Sequence, residues 1–101
     1  MIVKPGMRLR SAVCDTEVVV VVARRPDVDL RCGGQPMVPV GDEARPAGLV
    51  MTDTTGTLLG KRYAHEVSGI EVLCTKPGAG GLSVGDDPVP VKAAKPLPSS
   101  D

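Results

Sequence analysis

The sequence predicts an all-β protein about the size of one small domain. Of its 101 residues 42% are hydrophobic, yet there is no Phe or Trp, and Tyr63 is the single aromatic residue. Val accounts for 16 of the apolar residues, and β-branched side chains favour strands over helices. The 12 glycines and 10 prolines interrupt the chain too often for long helices.

The charge balance, the lack of long apolar runs and the cysteine count exclude several classes of protein. The 12 Lys and Arg residues equal the 12 Asp and Glu residues, which argues against a nucleic-acid partner held by charge. No apolar run is long enough to cross a membrane. Pro5 interrupts the N-terminal segment before a signal-peptide core can form. Together with an odd number of cysteines, these features predict a cytoplasmic protein with no membrane contact.

The first half of the chain predicts strands separated by tight turns. Polar and apolar residues alternate over residues 8–13, as in a half-buried strand. The valine run at residues 17–23 predicts a strand covered on both faces. Pro39 places its own segment at a sheet edge, because proline cannot donate to a strand ladder. The predicted strands of this half are residues 8–13, 17–23, 28–32 and 37–40.

The second half predicts a similar unit after a polar segment. Residues 41–48 carry Pro46 and no apolar pattern, which is typical of a linker. The Ala-, Lys-, Pro- and Ser-rich residues 92–101 predict an extended tail. The predicted extended segments in between are residues 49–51, 58–65, 70–74, 82–84 and 88–91. The predicted organisation is therefore a β unit at 1–40, a linker at 41–48, a second β unit at 49–91 and the tail.

The two halves also resemble each other in sequence. Glu17-Val18-Val19, followed by Pro39-Val40, is matched by Glu71-Val72-Leu73, followed by Pro90-Val91. Two related β units that pack together would explain how so few large side chains close a core, because either unit alone is too small. The sequence therefore predicts an internal duplication.

Two cysteine-containing runs in residues 6–38 resemble a known family. They are Leu9-Arg10-Ser11-Ala12-Val13-Cys14 and Leu30-Arg31-Cys32-Gly33-Gly34-Gln35-Pro36-Met37, with a valine run between them. This pattern resembles desulforedoxin and the rubredoxin-like N-terminal domain of desulfoferrodoxin. That family has a C-x-x-C-G knuckle and a Leu-x-Cys-Cys-Gly-x-x-Met segment. The resemblance implies a small β unit that dimerises and holds iron or zinc with four thiolates.

The chain departs from that family at two of the four ligand positions. Cys14 and Cys32 match two of the cysteines, but Ser11 and Gly33 stand where the other two belong. A closed structural site needs four ligands, so the resemblance implies the family's fold more strongly than its metal centre. In the second half the likeness is fainter, since His65 is the only metal-ligating side chain at a corresponding position.

The cysteines and the single histidine are the candidate metal ligands. Cys14 and Cys32 are either a buried thiol pair, a disulfide, or two ligands of zinc or iron. In the last case Cys74 or His65 completes the site, or a second copy of the chain does. Otherwise Cys74 is a core thiol in its strand and His65 a surface residue. The glycine-rich loop at residues 78–81 lacks the features of a phosphate loop and is interpreted as a hairpin loop.

Two functions follow from these patterns. No nucleophile and base are placed together by the sequence, which favours a non-catalytic accessory or interaction subunit that binds a protein partner or a second copy of itself. The alternative is a small zinc- or iron-binding metalloprotein, redox or structural, that uses Cys14 and Cys32. No cofactor is expected under the first function, and zinc or iron under the second.

Overall fold

The chain is all-β over residues 2–41 and 48–92, the ranges that the structure, a computed structural model, describes. These ranges contain nine strands and no helix, and therefore no helix that could cross a membrane. The strands are β1 (Arg8–Arg10), β2 (Glu17–Ala23), β3 (Leu30–Cys32), β4 (Gln35–Pro36), β5 (Val38–Pro39), β6 (Arg62–His65), β7 (Ile70–Lys76), β8 (Leu82–Val84) and β9 (Asp87–Pro88). The predicted fold class is confirmed.

The strands form two antiparallel sheets. The larger sheet has the order β5-β1-β2-β7-β6, and the smaller has the order β4-β3-β8-β9. Pro39 lies in the edge strand β5, as predicted for a residue that cannot donate to a ladder. Buried side chains of both sheets join in one hydrophobic core.

Both sheets join the two halves of the chain. In the larger sheet the central strand β2 pairs with β7, and in the smaller sheet the two inner strands β3 and β8 pair with each other. The predicted units at residues 1–40 and 49–91 therefore build their sheets together. Each half contributes one hairpin to each sheet, β1–β2 and β3–β4 from the first and β6–β7 and β8–β9 from the second. The internal duplication itself stays a prediction.

The core is built mainly from β-branched and sulfur-containing side chains. Alternate residues of β2 face it, because Val18 and Val20 are buried while the residues between and after them are only half-buried. The prediction that this strand is covered on both faces was wrong. One face packs on the core, which the period-2 geometry of a strand allows even in an unbroken valine run.

Two predicted strands differ in the structure, since one is shorter than predicted and the other is absent. Ser11 Oγ accepts the backbone N–H groups of Val13 and Cys14, each at 3.1 Å, which turns the chain after Arg10 instead of at residue 13. The predicted strand at residues 49–51 is absent. There the Val50 carbonyl accepts a hydrogen bond from the Gln35 side chain at 2.9 Å.

Glycines set the hairpin that leads from β3 to β4. Gly33 and Gly34 have φ angles of 66° and 83°, in the left-handed region that glycine adopts most easily. Of the remaining sequence predictions, most of the linker at residues 41–48 and nearly all of the tail at residues 92–101 lie outside the described residues.

Candidate functional site

The fold brings Cys14 and Cys32 together from different sheets. Cys14 lies in the turn between β1 and β2, and Cys32 is the last residue of β3. Their Sγ atoms are 3.8 Å apart, and both thiols are free. Cys14 is partly exposed, whereas Cys32 is 0% exposed. The site is therefore a thiol pair in which only one member reaches the surface.

Two buried hydroxyl groups lie beside the Cys14 sulfur. Thr16 Oγ1 is 3.3 Å from Cys14 Sγ. As a thiol, Cys14 donates to this oxygen, and as a thiolate it accepts the Thr16 hydroxyl proton. The Ser11 side chain also hydrogen-bonds to the Cys14 thiolate, and both Ser11 and Thr16 are fully buried. The hydroxyl groups are thus held by the surrounding fold, ready to stabilise a negative charge on sulfur.

A glycine-rich loop between β7 and β8 forms another wall of the site. The Gly80 carbonyl accepts a hydrogen bond from the Cys32 thiol at 3.5 Å and one from the Thr57 hydroxyl. Thr57 also pairs with Gly78 through two backbone hydrogen bonds. These bonds fix the loop next to Cys14. The loop interpreted from sequence as a simple hairpin connection therefore lines the thiol pair.

These contacts give the two thiols opposite pKa shifts. Burial raises the pKa of Cys14, but hydrogen bonds from Ser11, Thr16 and the Gly80 backbone outweigh it and lower that pKa from 9.0 to about 7. For Cys32, burial raises the pKa to about 11, and the nearby Cys14 charge adds to this rise. Between these values the pair carries one proton, on Cys32. Cys14 is then the nucleophilic sulfur.

We expect alkylation of the folded protein to follow the ionisation of Cys14. The rate of reaction with iodoacetamide should rise with pH, pass its midpoint near the Cys14 pKa of about 7 and then level off, because the thiolate is the reactive form. In the urea-unfolded chain the midpoint should move up toward 9.0, the ordinary value. The measurement is a pH profile of labelling at Cys14 by peptide mass spectrometry.

A variant pair identifies the origin of this pKa. Thr16→Val removes the hydroxyl group beside Cys14 and should raise the midpoint. Thr75→Val is the matched control, because its hydroxyl group donates to the Glu17 carbonyl and not to a thiol. A wild-type midpoint in Thr16→Val would contradict the assigned role of that hydroxyl.

The other two candidate ligands lie apart from the pair. Cys74 is buried in β7, where its thiol donates to the Lys76 carbonyl at 3.2 Å, and burial raises its pKa. His65 is 8% exposed, so the interpretation as a surface residue was wrong. Its Nδ1 lies 2.8 Å from Ser68 Oγ, and its Nε2 lies 3.6 Å from Asp87 Oδ2. The polar neighbours of the buried ring are therefore Ser68, in the turn after β6, and Asp87, in β9.

The residues present do not fit a four-thiolate centre within one chain. In the described ranges, no three side chains of His, Cys, Asp or Glu come together as metal ligands. A side chain at position 33 would place its Cβ 2.8 Å from Val13 Cγ2 and 2.9 Å from Met51 Cγ, so a cysteine cannot simply replace Gly33. The zinc or iron site predicted from the sequence stays a prediction.

Comparison of the chain with protein-family models, curated proteins and solved structures gives no match. The class of protein that the fold and the site define is a small all-β protein with a paired-thiol site. The resemblance to desulforedoxin over residues 6–38 stays a prediction.

Sequence reasoning paired Cys14 with Cys32 but missed the groups that surround them. Gly80 was interpreted only as part of a hairpin loop, and Thr16 was assigned no role in the site. The spacing Ser11-x-x-Cys14-x-Thr16 was a usable signal, because it puts two hydroxyl groups within three residues of one cysteine. Gly80 gave no such signal, since its contact with the site depends on a pairing between distant segments.

Proposed function

We propose that this chain is a small thiol–disulfide redox protein in which Cys14 and Cys32 alternate between a dithiol and a disulfide. The observation that carries the proposal is the 3.8 Å separation of the two Sγ atoms. A disulfide bond is about 2.05 Å long, so each sulfur has to move by less than roughly 1 Å. Small side-chain rotations within the site can supply that movement.

The environment of the pair supports the same chemistry. Disulfide formation starts from a thiolate, and the hydroxyl groups of Ser11 and Thr16 favour the thiolate at Cys14. Cys32 has no exposed surface, so a reagent from solvent meets the partly exposed Cys14 first. On oxidation two thiols lose two electrons and two protons to an external oxidant, and one S–S bond forms. Reduction reverses each of these changes.

Oxidation should also stabilise the fold. The two cysteines are 18 positions apart, and the bond would connect the β1–β2 turn to β3 of the other sheet. A cross-link closing a loop of this length stabilises a protein by about 3 kcal/mol, mainly by restricting the unfolded chain. Strain in the folded disulfide would reduce that value.

The test is equilibration of the protein in glutathione redox buffers. We expect Cys14 and Cys32 to form a disulfide reversibly, with a mass loss of two hydrogens and a higher urea midpoint in the oxidised form. Cys14→Ser and Cys32→Ser should each abolish the mass change, whereas Cys74→Ser, the matched control, should keep it. A pair that stays reduced in every buffer would contradict the proposal.

The two functions predicted from the sequence make different demands on the same residues. A four-thiolate metal site shared by two chains requires both sulfurs at a common surface, and Cys32 is 0% exposed. Stoichiometric zinc or iron that is lost in a Cys14→Ser/Cys32→Ser double variant would favour the metalloprotein. The accessory-subunit function, with its protein partner or second copy, stays a prediction, as does the cytoplasmic location.

A further inference from the structure

The Gly80 carbonyl oxygen accepts hydrogen bonds from one thiol of the pair and from a hydroxyl group outside the pair. The Cys32 thiol donates to it at 3.5 Å, and the Thr57 hydroxyl donates to it as well. A carbonyl oxygen has two lone pairs and can accept both donors at once. Gly80 and Thr57 are both buried, so this oxygen is satisfied by protein donors and not by bulk water.

Oxidation of the pair removes one of these two donors. The Cys32 thiol loses its proton when the S–S bond forms, and a disulfide sulfur has no hydrogen to donate. The Gly80 carbonyl then loses its hydrogen bond from Cys32, whereas the Thr57 hydroxyl can still donate to it. A buried carbonyl that is left without a donor costs free energy. The hydroxyl therefore contributes more to the disulfide form than to the dithiol form.

Backbone pairing holds Thr57 in place independently of the thiols. The Thr57 N–H donates to the Gly78 carbonyl at 3.0 Å, and the Gly78 N–H donates to the Thr57 carbonyl at 3.3 Å. Thr57 is only 2% exposed. Neither backbone bond involves a cysteine or the Thr57 side chain, so both can persist when the pair is oxidised or the side chain is changed. The hydroxyl is thus a fixed donor to Gly80.

We infer that Thr57 is a positioning residue of the redox pair, and that its hydroxyl favours disulfide formation by keeping the Gly80 carbonyl hydrogen-bonded in both redox states. This inference rests on the proposed dithiol–disulfide function and adds a residue that sets the equilibrium of the same site. Thr57 acts through Gly80, since its hydroxyl bonds to that carbonyl and not to a sulfur.

Replacing Thr57 with valine removes the hydroxyl group and keeps the β-branched shape of the side chain. In the dithiol form of this variant the Gly80 carbonyl still accepts the Cys32 thiol, whereas in the disulfide form it has lost both donors. The equilibrium constant for disulfide formation should therefore fall, by about fivefold or more. Thr57→Ser restores a hydroxyl group and should bring the constant back toward the wild-type value.

The test equilibrates each protein with glutathione and its disulfide, starting from the reduced and from the oxidised protein. Glutathione disulfide takes two electrons and two protons from Cys14 and Cys32, its S–S bond breaks, and two glutathione thiols form. Mass spectrometry after an acid quench gives the disulfide fraction. Thr75→Val is the matched control, because it also removes a hydroxyl donor to a backbone carbonyl, that of Glu17 at 3.2 Å, and should leave the constant unchanged.

Urea unfolding of both redox forms separates this role from a merely structural one. A structural role would lower the unfolding free energy of the dithiol and disulfide forms of Thr57→Val equally. The inferred role lowers that of the disulfide form by more, and the difference should match the change in the redox equilibrium because folding and oxidation form one thermodynamic cycle. Thr57→Ala serves for the same comparison if the valine variant does not fold.

The outcomes distinguish this inference from the function on which it rests. Equal equilibrium constants in wild type and Thr57→Val overturn the role of Thr57 and leave the redox pair supported. A fall of the same size in Thr57→Ser and Thr57→Val also overturns that role, because the hydroxyl group is then not its cause. A wild-type protein that forms no disulfide in any glutathione buffer overturns both the redox pair and the inference.

Discussion

Replacing Gly80 with alanine is expected to destabilise the fold by about 1–3 kcal/mol. It is also expected to change the pKa of the Cys14 thiol. The new Cβ would lie 2.8 Å from Gly33 N and 2.9 Å from Gly33 Cα, which are backbone atoms that cannot rotate away. It would also lie 3.2 Å from Cys14 Sγ. Either the loop or the β3–β4 turn has to shift, which weakens the 2.9 Å hydrogen bond from Gly33 N to the Gly81 carbonyl.

Urea unfolding and the pH profile of Cys14 alkylation measure the two effects together. Gly6→Ala is the matched control, because a Cβ at Gly6 meets nothing within 4 Å. With a φ of 86° it carries only the conformational cost of about 1–2 kcal/mol and should leave the Cys14 midpoint unchanged. A Gly80→Ala variant with wild-type stability and alkylation would show that the loop does not pack on the site as described.

Leu9→Ala is expected to cost about 2–5 kcal/mol of folding free energy. Leu9 is 0% exposed and lies in β1, where it pairs with Val18 on one side and Pro39 on the other. The loss combines the transfer free energy of the removed methyl groups with the cavity that they leave. Domains of this size have only about 5–15 kcal/mol of stability, so the change is a large share of the total.

The measurement is again the urea midpoint, which is compared between Leu9→Ala and alanine variants of two exposed leucines. Leu58 and Leu59 are 59% and 62% exposed, so Leu58→Ala or Leu59→Ala should change stability by less than about 0.5 kcal/mol. Equal effects at Leu9 and Leu58 would contradict the position of the core.

The strands that the sequence predicted most clearly are those with the strongest local signal. The strand predicted from the valine run at residues 17–23 has the same bounds as β2. The strand predicted at residues 70–74 corresponds to β7, which continues to Lys76. β-branched residues fit the pleated, half-buried surface of a strand, so a run of them predicts a strand even though its partners depend on the rest of the fold. Residues 49–51 are also apolar but form no strand, and the Val50 carbonyl there accepts a hydrogen bond from the Gln35 side chain instead of from a neighbouring strand.

The candidate site was predictable only in part, for a related reason. Cys14 and Cys32 were paired through the family resemblance, and the structure places their sulfurs 3.8 Å apart. The position of Gly80 depends on the bridge between Thr57 and Gly78, which joins segments far apart in sequence. The burial of His65 depends in the same way on tertiary packing. No local pattern encodes contacts of this kind.

By itself, the sequence determined that this protein is all-β, because abundant valine together with frequent glycine and proline excludes long helices and favours short strands. Tertiary structure alone decided how the two halves combine and what surrounds the thiols. Backbone hydrogen bonds between β2 and β7 and between β3 and β8 join the halves in both sheets. That pairing encloses Cys32 and leaves Cys14 partly exposed, and hydroxyl and backbone donors then favour the thiolate at Cys14.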